Sequence, residues 1–310
     1  MEKPLSSAGT LMAKPSTTES STLYGMALAA MAFALLTSVD TIFKLVSAGL
    51  PAHQILFINA FFALIPISIC TFFTGGLVRI KTTRLLQHLA RGGASVMSAF
   101  AAIFAYSRLP LTDFYAIVFA GPFIVTAMSA FWLGEKVDTA RWIAILIGFA
   151  GVVVVSDPFG HGVVHGNAAL LGRIAAFISI FCYALSTVII RRMRLNETNI
   201  AFAFYGYIAC ILVSGVVLWL RGGNAVTHAD LLHLALSGVL AGTSSLCLMT
   251  AYHRTPVALV APFQYTQIIW GAVAGYLLWH TLPDARLMTG AAIVAASGMF
   301  VIYREIRAQA

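Results

Sequence analysis

Ten stretches of mostly apolar residues follow one another along this 310-residue chain, joined by short polar connections. They lie near residues 24–46, 52–74, 86–107, 110–133, 141–156, 168–190, 199–220, 231–252, 256–279 and 286–303, the fifth and tenth being short. A span of a lipid bilayer takes about 20 such residues. Within lipid every backbone N–H and C=O must be satisfied inside its own segment, which makes the helix the preferred element. Composition agrees: 60% of the residues are hydrophobic and only 10% charged, against about 25% charged in soluble domains. A water-soluble fold of this length could not hide so much apolar surface. The expected fold is all-α and integral to the membrane, with ten transmembrane helices.

The net charge of +8 does not point to nucleic acid, because the basic residues sit in short connections rather than along one stripe. With the N-terminus in the cytoplasm, thirteen of the 19 Lys and Arg fall inside. Arg108, Arg173, Arg221 and Arg286 fall outside, and Lys44 and Arg91 lie within spans. That imbalance places both termini in the cytoplasm of a bacterial-type inner membrane. Residues 1–22 are polar and rich in Ser and Thr, with Pro4 and Pro15. They lack a basic segment leading into an apolar core and a cleavage site, and read as a disordered cytoplasmic tail, not a signal peptide. Cys70, Cys182, Cys210 and Cys247 all lie in apolar stretches with no C-x-x-C pair. They read as small buried hydrophobes rather than disulfides or zinc ligands. His161 and His165, in the longest outside connection, have no carboxylate or cysteine cluster beside them, so neither metal nor cofactor is expected.

The chain also repeats. Residues 105–110 read Ala-Tyr-Ser-Arg-Leu-Pro and residues 251–256 read Ala-Tyr-His-Arg-Thr-Pro. Each hexamer closes one span and opens the next. Asp138 and Arg141 before the fifth span match Asp284 and Arg286 before the tenth. Five spans per half is an odd number, so the third span runs outward and its counterpart, the eighth, inward. The halves, 23–158 and 166–304, are then inverted copies, an architecture of secondary transporters with the substrate near the midplane.

One long run of motifs covers residues 89–158, through Leu89-Ala-Arg-Gly92, Tyr106-Ser-Arg-Leu-Pro-Leu111, Ala120-Gly-Pro-Phe123 and Leu133-Gly-Glu135 to Asp157-Pro158. Others are Ala261-Pro-Phe-Gln-Tyr-Thr-Gln267, Leu282-Pro-Asp284 and Asp40-Thr-Ile-Phe-Lys44. In these motifs and their order the chain resembles the drug/metabolite transporter superfamily, in its ten-helix branch of two EamA domains. Members of the family often carry an arginine in the second span, where this chain has Asn59. The second half usually has an acidic residue where this chain reads Trp279-His280. The resemblance implies alternating-access transport of a small polar or amphipathic metabolite. It also implies a cavity walled by the first, third, fourth, sixth, eighth and ninth spans.

Candidate site residues are those whose chemistry is out of place in lipid. A charge at a helix centre costs about 2.5–3.5 kcal/mol on insertion scales and usually faces protein or water. Asp40 and Lys44 share a helix face at a spacing of four. Either they line the cavity and bind a charged group or couple to protons, or they neutralise each other while Lys44 reaches for the surface. Arg91, Ser95, Ser98, Ala102 and Tyr106 form a second face. It reads either as a polar path to an anion-binding arginine or as an interfacial anchor. In the fourth span Tyr115, Phe119, Pro122, Thr126 and Ser129 share a face, and Pro122 frees a backbone carbonyl or makes a kink. In the ninth, Gln264, Gln267 and Gly271 align beside Tyr265, with Gly271 and Gly275 spaced for close helix packing. Tyr183, Tyr252 and Trp270 are candidates for stacking on a solute.

The mixture of tyrosines, amides and both charge signs suits an amino acid or related metabolite. No P-loop is present, which excludes ATP-driven pumping by that device. An integral-membrane enzyme acting on a lipid-linked substrate is the main alternative, but no H-E-x-x-H, C-x-x-C or G-x-S-x-G supports it. A non-transporting scaffold is the other. Protons as coupling ion and a homodimer stay open.

Overall fold

A computed structural model describes residues 17–134, 139–156, 166–193, 197–254, 260–281 and 285–309, which hold helices and connections and no strand. The helices are α1 (Thr17–Val46), α2 (Ala52–Phe73), α3 (Leu85–Tyr106), α4 (Leu111–Val118), α5 (Gly121–Leu133) and α6 (Thr139–Ser156). They continue with α7 (Asn167–Met193), α8 (Asn199–Arg221), α9 (His228–Arg254), α10 (Thr266–Trp279) and α11 (Ala285–Gln309). Single turns of 3-10 helix occupy Gly76–Ile80 and Ala261–Tyr265. Helix α1 starts at Thr17 and so takes in part of the stretch expected to be a tail.

Among the described residues, seven helical stretches are long and apolar enough to cross a membrane: residues 23–46, 52–73, 85–106, 111–132, 167–190, 200–221 and 228–251. Two shorter apolar stretches, Trp142–Gly151 in α6 and Met288–Phe300 in α11, stand where the fifth and tenth spans were expected. The surface fits lipid. Phe61, Ile65, Ile69 and Phe72 make an exposed stripe down α2, and Phe131 and Trp219 are each 84% exposed. Water would penalise such a surface, whereas lipid tails are equally apolar. The chain is a multi-pass helical membrane protein.

Two expected spans are not continuous helices. The fourth breaks at Phe119 and Ala120 between α4 and α5. In the ninth, the 3-10 turn Ala261–Tyr265 precedes α10. A proline explains each restart. Both α5 and the 3-10 turn carry Pro in their first turn, as Pro122 and Pro262, where the missing N–H is not needed and the fixed φ suits the helix. Both broken spans end on a left-handed residue, Gly134 with φ 69° and His280 with φ 53°.

Helix α1 packs on α9, α3 on α7, α2 on α8 and α9, α3 on α8, α5 on α7, α10 on α1 and α4, and α6 on α11. Small residues let the backbones approach. A Cβ at Gly238 of α9 would lie 2.5 Å from the Asn59 carbonyl of α2, and one at Gly242 would collide with the Ala63 carbonyl. Between these helices the buried Asn59 amide donates to Ser237 Oγ at 2.8 Å. The second-span position that departs from the family pattern is thus a helix-to-helix bond.

Candidate functional site

The site is built around Asp40, on the inward side of α1. The Tyr115 hydroxyl of α4 donates to Asp40 Oδ2 at 2.8 Å. The Tyr106 side chain, at the end of α3, interacts with the same carboxyl group. Both tyrosines are buried, and Phe114 packs edge-on against Tyr106 with ring centroids 4.5 Å apart. Gly271 of α10 gives Tyr115 its place: a Cβ there would stand 2.7 Å from the ring. Glycine at 271 therefore accommodates a site tyrosine rather than a helix backbone. Gly275 meets Thr281 of its own chain instead, so this pair is not a helix-packing seam.

Lys44 makes no ion pair with Asp40. Its ammonium donates to the Tyr106 carbonyl at 2.7 Å and the Leu109 carbonyl at 2.5 Å, at the C-terminus of α3, where free carbonyls and the helix dipole favour a cation. Trp279 stands beside it, its ring centroid 5.3 Å from Nζ. The two charges take different partners, so they do not neutralise each other by direct pairing. A cleft of about 220 Å³ opens at Lys44, lined also by Arg108, Pro110, Gly275, Trp279 and Thr281.

The two broken spans meet next to this centre. Phe119, at the break of the fourth, packs edge-on against Tyr265, at the break of the ninth, with centroids 5.0 Å apart. The Tyr265 hydroxyl occupies the space that a Cβ on Gly298 of α11 would need, and the Phe123 ring does the same at Gly148 of α6. Buried Gln267 lies one turn before Gly271 on α10, and half-buried Gln264 sits in the adjoining 3-10 turn. Thr126 is half-buried on α5. Tyr183 of α7 is 49% exposed, although Ala176, Ser179 and Ser186 on its own helix face are buried.

Other candidates stand elsewhere. Arg91 is buried and donates from Nη2 to the Phe202 carbonyl of α8 at 2.7 Å, where Gly206 leaves it room. It is a buried strut between α3 and α8 rather than a surface anchor. Ser98 donates to the Ser179 carbonyl of α7 at 2.8 Å, and Ser95 pairs with Ser186 at 2.7 Å, so that polar face is an interhelical seam. Trp270 shares the exposed face of α10 with Val273 and Leu277, apart from Asp40. The Tyr252 side chain, Glu135, His161 and His165 lie outside the described residues.

Sequence reasoning missed a second polar cluster. His88 Nε2 lies 3.3 Å from Glu197 Oε2, both side chains being almost wholly buried, and Thr82 donates to Glu197 Oε1 at 2.6 Å. The signal was there: His88 lies three residues before Arg91, on the same face of an apolar span. Among the described residues no group of three His, Cys, Asp or Glu side chains is arranged to hold a metal.

A family model described as EamA-like transporter family matches the chain twice, over residues 23–157 and 170–304. Among curated relatives, an S-adenosylmethionine uptake transporter of Rickettsia bellii is 26% identical over 87% of this chain and 90% of its own length. A riboflavin transporter of Rhizobium johnstonii is 26% identical over 75% of each chain. A pseudopaline exporter of Pseudomonas aeruginosa is 24% identical over 88% of this chain and 94% of the relative. A solved crystal structure with 18% identity covers 92% of this chain and 98% of its own, with a TM-score of 0.63, and shares the fold.

Proposed function

Because the chain belongs to the EamA-like transporter family of the drug/metabolite transporter superfamily, we propose that it carries a small polar or amphipathic metabolite, of amino-acid type or related, by alternating access across a bacterial-type inner membrane. It is a transporter rather than an enzyme. The finer reading has ten spans in two inverted halves, 23–158 and 166–304, with both termini in the cytoplasm.

The packing supports inverted halves. Exchange of the halves turns the pair α1 and α9 into α7 and α3, the pair α2 and α9 into α8 and α3, and the pair α5 and α7 into α10 and α1. All of these pairs are in contact, and α2 with α8 and α6 with α11 map onto themselves. Breaks at Phe119–Ala120 and Ala261–Tyr265 obey the same exchange. Discontinuous helices meeting between repeats are a mark of transporter substrate sites.

One observation carries the location of the site: the Asp40 carboxyl group, held by Tyr115 beside the meeting point of both breaks. A carboxyl group without a basic partner among the described residues, flanked by aromatic rings, suits a solute with a cationic and an apolar part, or a transported proton. Tyr183 and the amides of Gln264 and Gln267 extend the same lining. Lys44, Tyr106 and Thr126 complete it; Arg91, Ser98 and Trp270 are left out.

The test is flux into proteoliposomes holding the purified protein, screened against pooled amino acids, amines, nucleosides and vitamins. Saturable flux of one solute is the expected result. No flux from any pool, with protein shown to be folded, would remove the transporter reading.

A further inference from the structure

The Lys44 cleft contains a feature that cation or proton binding at Asp40 does not use. Among the described residues its lining includes two cations, Lys44 and Arg108, and two hydroxyls, Ser107 and Thr281, and no acidic side chain. The ammonium of lysine has three donors, and the two carbonyls of Tyr106 and Leu109 take two of them. Asp113 of α4 is close enough to act on Lys44 electrostatically, but it does not line the cleft. Lys44 and Asp40 lie one helical turn apart and are not paired with each other. A volume of about 220 Å³ falls below the roughly 300–1,000 Å³ of pockets that enclose a whole ligand. It fits a head group.

We infer that this cleft is an anion subsite of the transport site: the carboxylate or phosphate of a solute binds Lys44 while its cationic group binds Asp40. This assignment rests on the transporter reading above and narrows the solute to a dipolar one. The Trp279 ring fixes the approach beside the ammonium, and Arg108, whose guanidinium is braced by Ser107 Oγ at 2.8 Å and lies over the Phe104 ring, adds positive potential at the rim. An anionic lipid head group offers the same oxygen chemistry, so the test separates the two sources.

The full-length protein is reconstituted in phosphatidylcholine vesicles, and counterflow of S-adenosylmethionine is compared with that of its decarboxylated form, which lacks only the carboxylate. Wild type is expected to favour the carboxylate form by about tenfold or more, the size expected of a hydrogen bond to a charged group. Lys44→Met should bring that ratio close to one, and Lys44→Arg, which keeps the charge, should retain a preference. An unchanged ratio in Lys44→Met, or a wild-type ratio near one, would overturn the subsite. If neither compound moves, the pair is built on whichever pooled solute does. A preferred solute with no anionic group overturns the subsite and leaves the transporter reading standing, whereas an absence of flux for every solute takes both down. Repetition in vesicles with rising phosphatidylglycerol provides the lipid arm. A preference that fades with the anionic lipid assigns the cleft to a head-group phosphate and overturns the solute assignment; a constant one supports it.

Discussion

A carboxyl group at membrane depth costs about 2.5–3.5 kcal/mol on insertion scales, and Asp40 offsets part of that with the Tyr115 hydroxyl. The bond depends on a residue from another helix. Gly271→Ala places a methyl group against the Tyr115 ring. Overpacking of this kind costs about 1–3 kcal/mol, and here it pushes Tyr115 away from Asp40. Gly271→Ala is therefore expected to lower flux at least as much as Tyr115→Phe, which leaves the ring and removes only the hydroxyl. A Gly271→Ala protein with wild-type flux would contradict this arrangement. Lys44 shows what spacing alone could not reveal. Four residues from Asp40, it looked like an ion-pair partner, but the α3 C-terminus offers two free carbonyls within its reach.

At the scale of the elements, glycines decide which helices touch. Gly242→Ala in α9 would drive a methyl group into the α2 backbone at Ala63, and backbone cannot rotate out of the way. The expected loss is about 1–3 kcal/mol, seen as a lower midpoint in thermal unfolding in detergent. Gly93→Ala in α3 is the control, since nothing lies within 4 Å of its added methyl group. It should be neutral, or stabilising by up to about 1 kcal/mol through helix propensity. Spans such as 52–74 and 199–220 were legible because length and apolarity alone define them, and α2 and α8 follow them closely. The breaks in the fourth and ninth were not. Pro122 was visible as a kink, but spacing along the chain does not show that the break lies against Tyr265, in a segment 146 residues away. The polar face from Arg91 to Tyr106 was legible as a face. Its role was not, because periodicity shows which residues share a side and not that Ser179, Ser186 and the Phe202 carbonyl lie opposite.

For the whole molecule, we propose that the distribution of Lys and Arg sets the orientation, with both ends in the cytoplasm. Cysteines introduced at Ser7 and at Gln309 should react with a membrane-impermeant thiol reagent from the cytoplasmic side alone, and one at Asn224 from the opposite side. Labelling of Asn224→Cys from the same side as the ends would contradict the topology. We propose that solute crosses this protein by way of Asp40. The most direct test is initial flux of the solute found in the pooled screen, with wild type and Asp40→Asn measured in parallel proteoliposomes, with and without a pH gradient. Asp40→Asn, folded and reconstituted to the same level, is expected to lose flux by about tenfold or more, the loss of one hydrogen-bonded charge, and to lose any response to the gradient. Wild-type flux and an unchanged gradient response in Asp40→Asn would contradict it.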